Sequence, residues 1–357
     1  MINAKKLSLF LLAGSVLAVS CRKPEEVDPP AGASLTTEIL SEFADNVVTS
    51  TYNDLSVKAA LLHQQTLTLA ATTDETNLSA CKQTWRDCRS AWEQSEGFLF
   101  GPVSAQNIDP RIDTWPVNFT DLDSVLNSSA VFTSGYIDSL DDALKGFHPI
   151  EFLLFGVNGN KTAASFTQRE LDYLTALAQN LETLTSQLSS YWNVSLQGNY
   201  HAEFTSAGSG SSIYPTQRAA FEEMVNAMIG ICDEVANGKI TEPYLAQDPS
   251  LEESPFAFNS ITDFTNNIRS VQNAYLGRYS ADGKSLEDLV REHNLSLDAE
   301  VKQKIDAALA ALGTITVPFG QAISQQPVQV QNCINAINDL KETLENDLLP
   351  FIQLHTE

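Results

Sequence analysis

The sequence predicts an all-α protein of packed helical bundles. Apolar residues recur at alternating three- and four-residue steps, as in Leu78, Cys81, Trp85, Cys88 and Trp92, the stripe of a helix that buries one face. The same period returns in Val330, Cys333, Ile334, Ile337, Leu340, Leu344 and Leu348. No alternating strand pattern competes with it, and long polar connections separate the periodic segments, as between packed helix pairs.

In chain order, Lys5 and Lys6 precede an apolar run over 7–19 that is too short to span a bilayer comfortably. It ends at Ser20-Cys21, so residues 1–20 read as a lipoprotein signal peptide and Cys21 as the lipidated first residue. Ordinary cleavage, with Cys21 lost or left free, is the alternative. Residues 21–34 are rich in Pro, Gly and acidic groups and read as an extended stalk.

A first helix is expected over 35–70, carrying Leu40, Phe43, Val47, Leu55 and Leu62. Thr72 to Thr76 make a turn into the Trp85 helix. Residues 101–120 are Pro- and Asp-rich and read as irregular. Helices follow at 168–192, 217–235, 259–276 and 297–312, with a Gly/Ser loop at 198–214. The last helix is expected to stop near Pro350.

About 320 residues remain after the leader and stalk, enough for a large core or two subdomains. The chain has 21 Lys+Arg against 45 Asp+Glu, a formal charge of −24 that becomes −26 once Lys5 and Lys6 are removed. Such a field repels a phosphate backbone, so nucleic acid is not an expected partner. Acidity suits cation attraction and equally suits solubility. Cys81 and Cys88 stand two helical turns apart, about 10.5 Å of rise, too far for a mutual disulfide. Either can reach Cys232 or Cys333 in principle. No zinc spacing is present, and buried free thiols are the default.

The run Gly146-Phe147-His148-Pro149-Ile150-Glu151 carries the chemistry. On a helix, His148 and Glu151 share a face, and an imidazole nitrogen and a carboxylate can converge on one cation. The plainer reading is a helix start, with His148 as cap, Pro149 at the first helical position and Glu151 facing the dipole.

This Gly-x-His-x-x-Glu pattern, followed by an apolar run ending in Phe155-Gly156, resembles the signature of the imelysin family. These are bacterial envelope proteins, provisionally classed as metallopeptidases and often linked to iron uptake. Further matches are Trp85, Arg89, Trp92, Glu96, Phe98, Phe100, Gly101 and Pro102, then Asp113-Thr114-Trp115-Pro116, Glu253-Ser254-Pro255-Phe256 and Asn273-Ala274-Tyr275-Leu276-Gly277. The likeness spans roughly residues 35–353. It implies two helical bundles, here 35–197 and 215–357, with the His/Glu motif near their junction.

Arg89 and Glu96 fall seven residues apart on one helical face. If that face meets the motif, Glu96 offers a ligand or proton acceptor and Arg89 orients a carboxylate through its fork. An interhelical ion pair is the alternative. Asp113 offers another oxygen, or is a turn residue bonded to its own backbone. Trp85, Trp92, Trp115 and Trp192 line a pocket or, more often for such spacing, fill the core. Asn273, Tyr275 and Arg278 face the junction or belong to a helix end closed by Gly277. His201 and His355 are expected in solvent, and His293-Asn294 at a helix C-terminus.

There is no His-Glu-x-x-His motif, no Gly-x-Ser-x-Gly elbow and no phosphate loop after a strand. The first functional reading is therefore a lipid-anchored protein, periplasmic or on the outer-membrane surface, that binds a metal ion or metal complex for uptake. Its metal set would be His148, Glu151 and Glu96, supported by Arg89, Asp113 and Trp115. Iron is the favoured ion, with zinc and others open, and other envelope proteins are further candidate partners. A non-catalytic interaction module with a structural motif comes second, and a metallopeptidase third.

Overall fold

Ser34 opens the first helix by accepting the Thr37 N–H on its hydroxyl. The computed structural model describes residues 34–195 and 199–357. The signal peptide, Cys21 and the stalk up to residue 33 lie outside the described residues. Helix α1 (Leu35–Glu42) runs through a π turn, Phe43–Thr49, into α2 (Ser50–Ala71). The expected helix is thus continuous, with its ladder widened in one place. Asp74 caps α3 (Glu75–Glu93), whose Leu78, Cys81, Trp85, Cys88 and Trp92 stripe is buried throughout.

The stretch 101–120 is less irregular than its composition implies. It holds α4 (Pro102–Ala105) and α5 (Ile108–Asp113), and α6 (Phe119–Asn127) starts before it ends. Pro102 sits in a first turn, where its missing N–H has no partner to lose. Asn107 makes the corner between α4 and α5 in the left-handed region, φ 53°. Then come α7 (Ser134–Asp138), α8 (Phe147–Phe155) and α9 (Gln168–Tyr191), the last opened by a Thr167–Glu170 capping box. The Gly/Ser stretch contains a short helix, α10 (Tyr200–Thr205), because Asn199 caps it and Phe204 buries its apolar face.

Helix α11 (Gln217–Asp233) continues through a second π turn, Glu234–Ile240, to α12 (Thr241–Ala246). Helix α13 (Ser260–Leu276) ends at Gly277, φ 64°. It is followed by α14 (Leu286–His293), α15 (Leu295–Leu312), α16 (Phe319–Gln325) and α17 (Pro327–Thr343). The last helix does not stop near Pro350. It passes a π turn, Leu344–Leu348, into α18 (Leu349–His355). Pro350 falls in the first turn after that π turn, where the wider ladder tolerates its missing N–H.

Among the described residues there is no strand, only an isolated bridge between Arg278 and Asp282. Helix α2 packs on α3 and α9, and α8 lies against α3 and α9. Helices α11, α13, α15 and α17 form a second packed group, and α3 meets α13 between the groups. Residues Ser34–Glu357 make one compact unit. Trp85, Trp92 and Trp192 are core residues, and all four cysteines of this unit are free and buried. Among the described residues no helix is long and apolar enough to cross a membrane.

Two histidines expected in solvent are not there. His201 Nε2 lies 2.8 Å from Asp45, and the His355 ring stacks between His293 (4.4 Å) and Phe351 (4.3 Å). Both sit where short helices fold back on the body. His293 does close its helix beside Asn294. Tyr275 donates to Asp298, Asn273 donates to Gln94, and Arg278 is exposed beside Asp282.

Candidate metal centre

The site begins with a glycine. Gly146 caps α8 with φ 81°, and a Cβ there would strike the carbonyl oxygen of Ile112. Only glycine allows this backbone shape and this approach together. The contact presses the start of α8 onto the end of α5, next to Asp113. Gly146, not His148, is therefore the cap. His148 and Pro149 follow at the second and third helical positions, where Pro149 still gives up no helical bond.

His148 is fully buried. Its Nε2 lies 3.0 Å from Asp113 Oδ1 and its Nδ1 lies 3.6 Å from Glu151 Oε2. The Nδ1 approach is too long for a hydrogen bond and the Nε2 approach is off its direction, so neither nitrogen makes an aligned bond, although Asp113 is an ion-pair neighbour. The half-buried Trp115 ring covers the imidazole at 4.9 Å between centroids. Glu151 turns its Oε1 to the loop before α13, where the N–H groups of Phe256 and Ala257 donate to it at 2.9 and 2.7 Å.

Arg89 occupies the centre. It pairs with Asp113, with Glu93 and Glu253 at 2.6 Å each, and lies 3.8 Å from Asp263. The Trp92 indole donates to Asp113 Oδ2 at 2.6 Å. Asp113 is thus no turn residue bonded to itself. Glu96 lies beyond Arg89, where its Oε2 receives the Lys239 ammonium at 3.0 Å and the Asn267 amide at 2.7 Å. Lys239 is also 3.3 Å from Glu253 Oε1.

Two groups can each offer three donor atoms within 4.8 Å of one another: Asp113, His148 and Glu253, and Glu93, Glu96 and Asp113. Of the three residues that sequence reasoning set together, Glu96 shares a group with Asp113 but not with His148. Glu151 falls in neither; its Oε1 serves the loop while its Oε2 faces His148 Nδ1 at 3.6 Å without a hydrogen bond. Glu93, Lys239 and Asp263 were not singled out. Glu93 was legible as an i,i+4 partner of Arg89, whereas Lys239 lies in a π turn that no regular period places.

Six carboxylates (Glu93, Glu96, Asp113, Glu151, Glu253, Asp263) thus face Arg89 and Lys239 within the cluster, Arg86 on the side of Glu151 and Asp263, and one imidazole. The crowding shows in Glu93, Glu96 and Asp263. Burial pushes Glu93 up to about 8 against the pull of Arg89, and Asp263 up to about 6. Burial and the neighbouring Glu93 hold Glu96 well above its usual range. Asp113 goes the other way: burial would raise it, but Arg89 and His148 hold it well below the carboxylate range. Burial would lower His148, yet Asp113 and Glu151 hold it up to about 9. Glu93 and Glu96 hold their protons more tightly than an ordinary carboxylate, and a small cation is the alternative neutraliser. The residues present fit one: an imidazole with unaligned nitrogens stands beside carboxylate oxygens, a mixed N/O set suited to first-row metals. Arg89 and Lys239 are its competitors. A cleft of about 400 Å³, lined by Asp109, Glu234 and Glu242 at its acidic wall, leads to Asp113, Glu253 and Lys239.

A helical-bundle protein with a buried imidazole–carboxylate cluster where two helix groups meet is the class this architecture defines. A family model described as imelysin, peptidase M75, matches residues 48–346, and the chain belongs to the imelysin family. It is 32% identical over 327 residues to iron-regulated protein A of Synechococcus elongatus, covering 90% of this chain and 88% of that protein. A solved structure from Parabacteroides distasonis, described as a candidate iron-regulated protein A precursor, superposes with a TM-score of 0.80 at 26% identity, over 88% of this chain and 95% of that one. An imelysin-like protein from Psychrobacter arcticum shares the fold, with a TM-score of 0.73 at 15% identity over 90% and 97%.

Proposed function

We propose that this protein binds a metal ion, iron before zinc, as cargo at Asp113, His148 and Glu253, and serves iron uptake in the cell envelope from a lipid anchor at Cys21, on the periplasmic side or the outer-membrane surface. The observation that carries the reading is the buried His148 ring, whose two nitrogens face acids without an aligned bond in a cluster with surplus carboxylates. The iron assignment is supported by the names of two relatives. In this reading Glu151 positions the loop that carries Glu253, and Lys239, shared between Glu96 and Glu253, competes with the ion. A second reading, architecture alone, draws on Arg89, which bridges α3, α5 and the loop before α13. The metallopeptidase reading has no such observation behind it.

The test is calorimetric titration of metal-stripped protein with Fe²⁺, Fe³⁺ and Zn²⁺, beside His148→Ala and Glu253→Gln. One ion should bind per chain, and each variant should weaken binding at least about tenfold, or about 1.4 kcal/mol. A wild-type protein that binds none of them would leave architecture as the function of the cluster.

A further inference from the structure

A second cleft, of about 730 Å³, opens on the other side of Trp115 and Leu251, which line both. Its walls are aromatic: Trp115, Phe119, Phe152, Phe256 and Phe258. Phe152 meets Phe119 at 5.1 Å and Phe256 at 5.3 Å, edge to face, so the wall is formed in advance. Phe119 and Phe258 are the two aromatic residues left largely exposed among the described residues, and both stand here. Phe258 is held with φ 53°, a backbone shape that costs a residue with a Cβ, and its ring rests on Gly159. An exposed aromatic patch kept in place against strain marks a binding surface.

One charged residue lines this cleft, Glu252. It is 3% exposed. Its Oε2 accepts the Ser260 hydroxyl at 2.8 Å and the Gly320 N–H at 3.3 Å, while its Oε1 accepts no hydrogen bond among the described residues. Both of those donors are neutral, and Glu252 forms no ion pair among the described residues. A buried carboxylate with a spare oxygen and no cation, set in an aromatic cleft, is built to receive one.

We propose that this cleft binds a small organic ammonium ion, its charged head against Glu252 Oε1 and its carbon body against Phe256, Phe258 and Trp115. The volume is that of a small-molecule site. Aromatic faces attract the cation and take up the apolar body, and the acidic surroundings exclude anions. Because Glu252 faces this cleft while Glu253 faces the metal cluster, the two sites are adjacent but chemically separate.

The test titrates full-length, metal-stripped protein with three probes that share the indole ring and differ in charge: tryptamine, indole and indole-3-propionate. Working without metal makes the result independent of ion binding. Tryptamine should bind at least about tenfold more tightly than the other two. Glu252→Gln, which keeps an acceptor for Ser260 and Gly320, should bring tryptamine to the level of indole. Phe258→Ala, an exposed truncation, should weaken all three and leave their order. Equal affinities in the wild type, or no binding, would overturn the proposal. So would a tryptamine preference that survives Glu252→Gln and disappears in Glu242→Gln, which would put the amine in the acidic cleft.

Discussion

Glu151 and Phe256 are 105 positions apart in sequence, yet Glu151 Oε1 holds the Phe256 N–H at 2.9 Å and the next N–H, of Ala257, at 2.7 Å. The bond ties α8 to the loop that carries Glu252 and Glu253. It also explains why the motif spaces His148 and Glu151 by three. One side chain reaches Asp113 and the other reaches the loop, from one face of one turn.

Glu151→Ala should therefore cost about 2–4 kcal/mol in urea unfolding, because two buried N–H groups lose a charged acceptor. Glu151→Gln keeps an oxygen for both and should cost less, about 1–2 kcal/mol. Equal losses in the two variants would mean that the charge, not the acceptor, matters.

Gly146→Ala tests the start of the motif. The substitution puts a side chain at φ 81° and drives it into the Ile112 carbonyl. Separating α8 from α5 also separates His148 from Asp113. A loss of more than about 2 kcal/mol is expected in denaturant unfolding, with metal affinity falling in parallel. A variant with wild-type stability would show that α5 can move at no cost.

Asp109 gives the clearest pH signature outside the proposed ligands. Burial, helped by Asp113 and Glu234, raises it to about 6 from 3.8. The folded state therefore holds this proton more tightly than the unfolded state. The stability it contributes is whole below pH 3.8 and is lost as pH rises through 6. Asp109→Asn removes that loss. After a discount for its partial exposure, the variant should be about 1–2 kcal/mol more stable than the wild type at pH 7.5 and about equal to it at pH 3.5. Chemical denaturation at the two pH values reads the difference, and an equal gain at both would rule out the ionisation as its cause.

Long helices were legible because a 3.6-residue period over 15 or more positions has one physical cause, a single buried face. Helix α13 and the Cys333 stripe of α17 show it. The short helices α4, α5 and α10 were not legible, since four to six residues hold too little period and their starts rest on single residues, Gly101, Asn107 and Asn199. The same limit governed the site. His148, Glu151, Arg89 and Asp113 stand in local patterns, and the structure brings His148, Arg89 and Asp113 together. That Glu151 serves Phe256 and Ala257, and that Lys239 reaches Glu96 and Glu253, are tertiary facts. Lys239 projects from a π turn, whose displaced register hides its direction from any helical projection.

Lys239 decides between a cation site and an ion-pair clamp. Burial would lower its pKa, but Glu253, Glu96 and Glu93 hold its ammonium charged far above its usual range. It thus occupies, as a permanent charge, the oxygens that a metal ion would draw on. Lys239→Met leaves those carboxylates without their amine, so the metal-free protein should lose about 2–4 kcal/mol. If the cluster is a cation site, the vacated charge falls to the ion: Fe²⁺ or Zn²⁺ should bind about tenfold more tightly than to the wild type, and a saturating metal concentration should restore the lost stability. If the cluster is only a clamp, the stability lost on removing the amine should stay lost at every metal concentration. Thermal unfolding of wild type and variant, each with and without Zn²⁺, separates the two outcomes.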